Sequence, residues 1–234
     1  MKGQELLRAL VDTRDRQVQK ARIQFGNRLD AVVRGSDDAG GSKQEELLAR
    51  WYERFLDLEH ELDGDIRSLV RALAESEPIM GHLMALKGIG EVLAAKLVAP
   101  IEIERASTVS ALWRYCGMGV VDGERERPTA GERLHYNKRL KVVVLLIAGS
   151  FMKVGSPYRR VYDSAREYYD ANRPDWPVVR RHRAAMRKMA KVFLAHLWER
   201  WRTLEGLPVR EPYAHDRLNH EHLYGPEEFG WPPL

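Results

Sequence analysis

The residues best suited to chemistry are two glycines in the stretch Leu86-Lys87-Gly88-Ile89-Gly90, which is framed by helical spacing on both sides. The pattern resembles a helix-hairpin-helix, in which Gly88 and Gly90 turn the backbone tightly with positive φ and Ile89 fills the core. The second helix then begins with free N–H groups and a partial positive charge, which bind a phosphate oxygen without reading base sequence. We therefore predict a DNA-phosphate contact at Gly88, Ile89 and Gly90. The alternative is an ordinary helical corner with glycine caps.

Basic residues form a second candidate surface. The segment 180–191 carries its cations without an intervening acid, and steps of three and four place four of them on one helix face. A solvated face normally mixes charge signs, so the pattern favours phosphate contacts, with a solubilising surface as the alternative. The predicted DNA-binding cations are Lys87, Lys96, Arg133, Lys138, Arg139, Lys141, Arg180, Arg183, Arg187, Lys188 and Lys191.

Other catalytic chemistry finds little support in the residue pattern. His215, His220 and His222 lie close together, but their spacing is not diagnostic of zinc, and we predict no metal and no cofactor. A tyrosine-recombinase arrangement needs basic residues around one phosphate, whereas Arg180, His182 and Arg183 crowd into one helical turn. No phosphate loop of the Walker type occurs. The lone Cys116 excludes a disulfide framework and is consistent with a reducing cytoplasm.

The net charge of +4 over 234 residues conceals an uneven distribution. Residues 1–79 carry a net charge of −3, residues 80–202 carry +11, and residues 203–234 carry −4. A basic block of this size indicates a polyanionic partner: duplex or branched DNA, with RNA as the alternative. The longest purely apolar run, Val142 to Ala148, is too short for a membrane span, and the first residues lack the apolar core of a signal peptide. We expect a cytoplasmic, nucleoid-associated protein.

Helical periodicity recurs along the chain and no strand pattern persists, so we predict an all-α protein. Two long amphipathic helices, about 4–33 and 43–74, flank a Gly/Ser/Asp linker and predict an antiparallel helical hairpin over 1–79. Their heptad seam (Leu48, Trp51, Phe55, Leu58 and Leu62 in the second helix) predicts docking or homodimerisation. Short helices over 80–202 form the helix-hairpin-helix domain, and an irregular acidic tail follows over 203–234.

The order of these parts resembles one family of mobile-element enzymes. Leu112, Tyr115 and Gly117 match an L-x-x-Y-x-G step; Asn137, Leu140 and Lys141 resemble a G-N-x-x-L-R step, with Tyr136 in place of glycine and lysine in place of arginine. Pro157 and Tyr158 resemble a further P-Y step. Residues 1–202 thus resemble the coiled coil and C-terminal domain of the insertion-sequence transposases that pair a RuvC-like domain with a serine-bearing domain, the bridge-RNA recombinase family.

The resemblance implies DNA binding in transposition or recombination, with two departures. The RuvC-like domain that would supply acidic metal ligands is absent from this sequence. The family's nucleophilic serine, which precedes a glycine after the Y-x-G step, has no counterpart; Thr129, before Ala130 and Gly131, is the one hydroxyl that a shortened loop would place there. The alternatives are an active recombinase that uses Thr129 or a partner's metal site, and a non-catalytic adaptor that dimerises through the coiled coil.

Overall fold

The protein is all-α in its computed structural model, which describes residues 2–35, 42–120, 131, 134–209 and 225–234 and contains no strand within them. The chain divides into two compact units, residues 1–73 and 74–234. The class predicted from helical periodicity is therefore confirmed. Among the described residues, no single helix is long and apolar enough to cross a membrane. The helices Lys138–Val154 and Arg159–Asn172 reach that length and hydropathy only together, across a bend of 95°.

The first unit consists of α1 (Lys2–Asp12), a π-helical turn (Thr13–Val18), α2 (Gln19–Gly35) and α3 (Lys43–Leu73). The sequence predicts one uninterrupted helix where the structure has the π turn. This turn carries Arg14, which is buried and pairs with Asp63, Glu59 and Asp15. Both α1 and α2 pack against α3. The segments run in opposite directions, because Arg14 pairs with Asp63 whereas Arg22, later in the chain, pairs with the earlier residue Glu59.

The buried face of α3 differs from the predicted heptad seam. Leu62, Ile66 and Val70 are buried, but Trp51 and Leu58, which the seam places inside, are each 40% exposed. The physical reason is Glu59, which lies inside the unit because its carboxylate accepts from Arg22 at 2.6 Å and pairs with Arg14 at 2.6 Å. A buried carboxylate with two cationic partners is sufficiently compensated to occupy a core position, and an apolar pattern cannot reveal it.

The second unit is arranged around its long last helix. Its helices are α4 (Pro78–Met84), α5 (Glu91–Val98), α6 (Val109–Tyr115), α7 (Lys138–Val154), α8 (Arg159–Asn172) and α9 (Val178–Leu204), with a short 3₁₀ turn at Ile103–Arg105. Helix α9 contacts α4, α6, α7, α8 and the 3₁₀ turn. Phe151 and Tyr158 pack against Phe193 in the core, and the Trp198 indole donates to the Ala106 carbonyl at 2.6 Å.

The end of the chain is part of this core. The sequence predicts an irregular acidic tail over 203–234, but residues 225–234 contain a 3₁₀ turn (Pro226–Phe229) and bury Phe229 and Trp231. The Trp231 indole donates to the Tyr158 hydroxyl at 2.7 Å, and that hydroxyl also pairs with Nδ1 of His196 at 2.7 Å. Large aromatic side chains offset the conformational entropy lost when the segment is ordered.

The surroundings of His82 predict that acid destabilises this unit. Burial and the nearby Arg200 cation lower the pKa of His82 below its ordinary value of 6.5. His82 therefore binds more protons in the unfolded chain than in the folded chain below about pH 6.5. Its contribution to stability falls as the pH drops through that value and levels off below the folded pKa of His82. In urea unfolding at pH 7.5 and 5.5, we expect the loss on acidification to be smaller in His82→Gln than in the parent. Equal losses would contradict this assignment.

Candidate nucleic-acid interface

The predicted hairpin turn lies between α4 and α5. Gly88 has a φ of +108°, which favours glycine, and the Ile89 amide donates to the Leu86 carbonyl at 3.0 Å. Ile89 is only 4% exposed, so it fills the core beneath the turn as the sequence predicts. Lys87 and Gly90, on either side, are exposed. The turn therefore presents its backbone to solvent while a buried side chain holds it.

The C-terminal end of α7 packs against this turn. The Ser150 hydroxyl donates to the Gly88 carbonyl at 2.7 Å. A Cβ atom built on Gly88 would lie 3.1 Å from Val154, 3.2 Å from Ser150 and 3.3 Å from Phe151. Both the backbone conformation and the close approach of α7 thus require glycine at this position. Ser150 carries no motif of its own, and only its distance to Gly88 in the fold reveals its role.

The second glycine of the turn behaves differently from the prediction. Gly90 has φ −99° and ψ 175°, an extended conformation open to any residue, and a Cβ built on it would meet nothing within 4 Å. The prediction of positive φ at Gly90 is therefore wrong. Gly90 is the N-cap of α5 and lacks a side-chain cap, and the first N–H groups of α5 have no acceptor within the helix. Any contribution of Gly90 to the predicted phosphate contact would therefore come from its place at the start of α5 and not from a positive φ.

A second turn, Gly117–Gly119, follows α6 and is held by α9. The Arg187 guanidinium donates to the Gly117 carbonyl at 3.2 Å through Nη1 and to the Gly119 carbonyl at 2.7 Å through Nη2. Gly117 has a φ of +68°. The planar guanidinium fork suits two carbonyls of one turn. Arg187 is thus half-buried, and part of its donor capacity serves the fold.

Lys191 lies one helical turn beyond Arg187 and covers the ring of Trp113. Its ammonium nitrogen is 3.9 Å from the ring centroid, and the Trp113 indole donates to the Lys191 carbonyl at 2.9 Å. Burial and the nearby Arg187 guanidinium lower the pKa of Lys191. Arg187 and Lys191, one helical turn apart, therefore concentrate positive charge on this part of α9. Trp113 is not among the predicted site residues, because it lies within the L-x-x-Y-x-G step but outside its defining positions.

The N-terminal end of α7 completes the arrangement at Gly117. A Cβ on Gly117 would lie 2.8 Å from Cδ of Lys141 and 2.9 Å from the Tyr136 ring. Asn137 caps α7 by accepting from the amides of Arg139 and Leu140, each at 3.1 Å, and its own amide donates to the Tyr115 carbonyl at 2.9 Å. The two sequence steps and the basic helix, far apart in the chain, therefore meet at one turn. We call Lys141, Arg187 and Lys191 the Gly117 cation cluster.

The remaining predicted residues fall into three groups. Lys138, Arg180, Arg183 and Lys188 are exposed, whereas Lys96 and Arg139 are partly buried. Thr129 and Arg133 lie outside the described residues, so the structure gives no account of the proposed nucleophile; the same holds for His215, His220 and His222. Lys141, which contacts Gly117, and Val154, which contacts Gly88, are thirteen residues apart on α7 and so are separated by roughly 20 Å along the helix axis.

The part of the chain described here contains no group of three His, Cys, Asp or Glu side chains that could hold a metal ion. Cys116 is buried, and burial raises the pKa of its thiol, as expected for a packing residue. Comparison with known proteins found no match to a family model, a curated protein or a solved structure. The site is therefore interpreted from its own geometry.

Replacing Arg187 by lysine should separate its structural contribution from its charge. Lysine keeps the cation but cannot hold both glycine carbonyls, so we expect Arg187→Lys to lower the free energy of unfolding by about 1–2 kcal/mol. Arg183→Lys, one turn away and exposed, should change it by no more than about 0.5 kcal/mol. Urea unfolding of both variants tests this. Identical midpoints would show that Arg187 does not hold the turn.

Proposed function

We propose that this chain binds DNA through its phosphate backbone and acts in transposition or DNA recombination. The observation that carries the DNA-binding proposal is the placement of basic residues on one part of the second unit. Lys141 and Arg187 contact the Gly117 turn, Lys191 lies over Trp113 one helical turn away, and Arg180 and Arg183 are exposed earlier in α9. These cations lie on the unit that contains the basic block. The assignment to transposition or recombination is supported by the sequence resemblance of residues 1–202 alone.

The two candidate contact points pack against opposite ends of one helix, α7, which makes the proposal more specific. The hairpin turn and the Gly117 cation cluster lie at opposite ends of α7, roughly 20 Å apart. Neighbouring phosphates of one strand are spaced by about 3.4 Å along the duplex axis, so this separation corresponds to about six phosphates. Backbone amides at the start of α5 would hold one end of that stretch and the cations the other. Neither element reads base edges, so we expect weak sequence preference.

A salt titration of the full chain tests DNA binding. We expect a fluorescently labelled 30-base-pair duplex to bind at 50 mM salt and to lose about 100-fold in affinity by 200 mM, because counterions are released from several phosphates. The protein should bind two duplexes of unrelated sequence with similar affinity. The same measurement with RNA of matched length compares the two polyanions. If no duplex binds at 50 mM salt, the DNA-binding proposal is wrong, and a non-catalytic adaptor becomes the better explanation.

We further propose that the first unit forms a homodimer. Leu47, Trp51 and Leu58 share one face of α3 at steps of four and seven, and each is about 40% exposed. An exposed apolar stripe on a small helical unit is typical of a self-association surface. A second copy is the partner that the heptad spacing predicts, and it would bring two basic units onto one DNA.

The dimer is tested by mass in solution. Light scattering at high concentration should give twice the chain mass for the parent and the monomer mass for Leu47→Lys/Leu58→Lys, since two buried cations would oppose association. Leu146→Lys, which changes a more exposed leucine on α7, is the control and should remain dimeric. A monomeric parent would refute this proposal without affecting the DNA-binding proposal.

A further inference from the structure

The corner between α8 and α9 exposes apolar side chains that the predicted phosphate contacts do not use. Within residues 168–183, which we call the α8–α9 corner, Tyr168 is 54% exposed, Val178 is 60% exposed and Val179 is 55% exposed. None of these side chains contributes to the core of the unit. Three large exposed apolar groups at one well-defined corner suggest a contact surface.

The corner is held in one conformation by its own hydrogen bonds. The Trp176 amide donates to the Arg173 carbonyl at 3.1 Å, and the Arg180 amide donates to the Pro177 carbonyl at 2.8 Å. On the α8 side, the Asn172 amide group donates to the Tyr168 carbonyl at 2.9 Å. Proline at 174 and 177 restricts the loop further. A partner would therefore meet a preorganised surface and lose little entropy in ordering it.

An arginine is stacked at the centre of the corner. The Trp176 ring stacks on Tyr169, with centroids 5.7 Å apart and planes inclined by 22°, and the Arg180 guanidinium carbon lies 4.0 Å from the Trp176 centroid. Arg180 is exposed overall. A guanidinium fixed on an aromatic ring presents a flat cation to which a planar ligand can stack.

The charge of the corner favours an anionic partner. Residues 168–183 contain four arginines and two aspartates, and Asp170 is engaged by Arg166 at 2.9 Å and Arg181 at 3.0 Å. Arg173, Arg180 and Arg183 are exposed. The corner is also continuous with the phosphate-binding cations, because Arg180 precedes Arg187 by seven residues, roughly 10 Å along α9. A ligand held by the Gly117 cation cluster would therefore reach the corner.

We propose that the α8–α9 corner binds unpaired nucleotides of the DNA held by the basic unit, and this rests on the proposed DNA-binding function. Bases of an unpaired strand stack on the Tyr168 ring and the Arg180 guanidinium, while their phosphates contact Arg173 and Arg183. In a paired duplex these base faces are stacked on one another. The exposed side chains of Tyr168, Val178 and Val179 would therefore bury little apolar surface against it. The corner thus gives the protein a preference for bulged, branched or open DNA over intact duplex.

The experiment compares paired and unpaired DNA at one ionic strength with the full chain. We expect a duplex with a three-nucleotide bulge to bind about tenfold more tightly than the same duplex without it. Tyr168→Ala/Val178→Ser/Val179→Ser should remove this preference while leaving intact-duplex affinity within about twofold. Val142→Ser/Leu146→Ser, which removes exposed apolar groups from α7, is the control and should keep the preference. A 2-aminopurine in the bulge should be quenched by the parent and not by the triple variant.

Each other outcome has a separate meaning. Tight duplex binding without a bulge preference, or a preference that survives the triple substitution, would overturn this inference and leave the DNA-binding proposal intact. A bulged RNA preferred over bulged DNA would overturn the choice of nucleic acid. If the triple substitution instead abolishes binding to vesicles containing anionic phospholipid, or halves the mass in solution, the corner serves a membrane or a second copy. Absence of binding to any DNA would overturn both proposals.

Discussion

Reversing the charge of Arg180 and Arg183 is expected to weaken duplex binding by at least about 100-fold at 50 mM salt. Both side chains are exposed on α9, so the substitution changes the surface and not the core. Each lost phosphate contact removes favourable counterion release, and each new carboxylate repels the backbone. The slope of log affinity against log salt should become shallower by about two, one for each contact.

A second charge reversal, placed elsewhere on the protein, separates the effect of position from the effect of net charge. Arg50→Glu/Arg67→Glu alters two exposed arginines of α3 and changes the net charge by the same amount, yet should leave affinity within about threefold. Fluorescence anisotropy at four salt concentrations measures both affinity and slope. Equal weakening by the two pairs would mean that the protein responds only to total charge and has no α9 interface. Circular dichroism confirms that both variants are folded.

Alanine at Gly88 and alanine at Gly90 are expected to differ sharply, although the two glycines are two residues apart. Gly88→Ala places a Cβ at a φ of +108° and within 3.1–3.3 Å of three α7 side chains, so the free energy of unfolding should fall by about 2–3 kcal/mol. Gly90 has extended backbone angles and open space around its Cβ position, so Gly90→Ala should cost no more than about 1 kcal/mol.

The same two variants distinguish an effect on stability from an effect on DNA binding at the hairpin turn. Urea unfolding gives the stability difference, and DNA affinity measured well below the transition gives the functional difference. We expect Gly88→Ala to bind DNA more weakly, because the displaced turn misdirects the first amides of α5, and Gly90→Ala to retain binding within about threefold. Similar stability losses in both variants would contradict the structural distinction between the two glycines.

The sequence alone is sufficient for the helical class and for the position of the hairpin turn. Both depend on local information: helical periodicity of apolar residues, and a glycine pair with a buried isoleucine between. Ile89 is buried and Gly88 has positive φ, as the local pattern predicts. The predicted positive φ at Gly90 is wrong because one residue with positive φ is enough to reverse the chain. A motif with two glycines does not indicate which of them adopts that conformation.

Tertiary structure alone decided which basic residues remain available to a partner. Helical spacing places Arg180, Arg183, Arg187 and Lys191 on one face, but it cannot say how much of that face the rest of the unit covers. The Gly117 turn and Trp113 cover the C-terminal half, so Arg187 and Lys191 are half-buried while Arg180 and Arg183 stay exposed. These contacts join residues about 70 positions apart in the chain, a separation that no local pattern encodes.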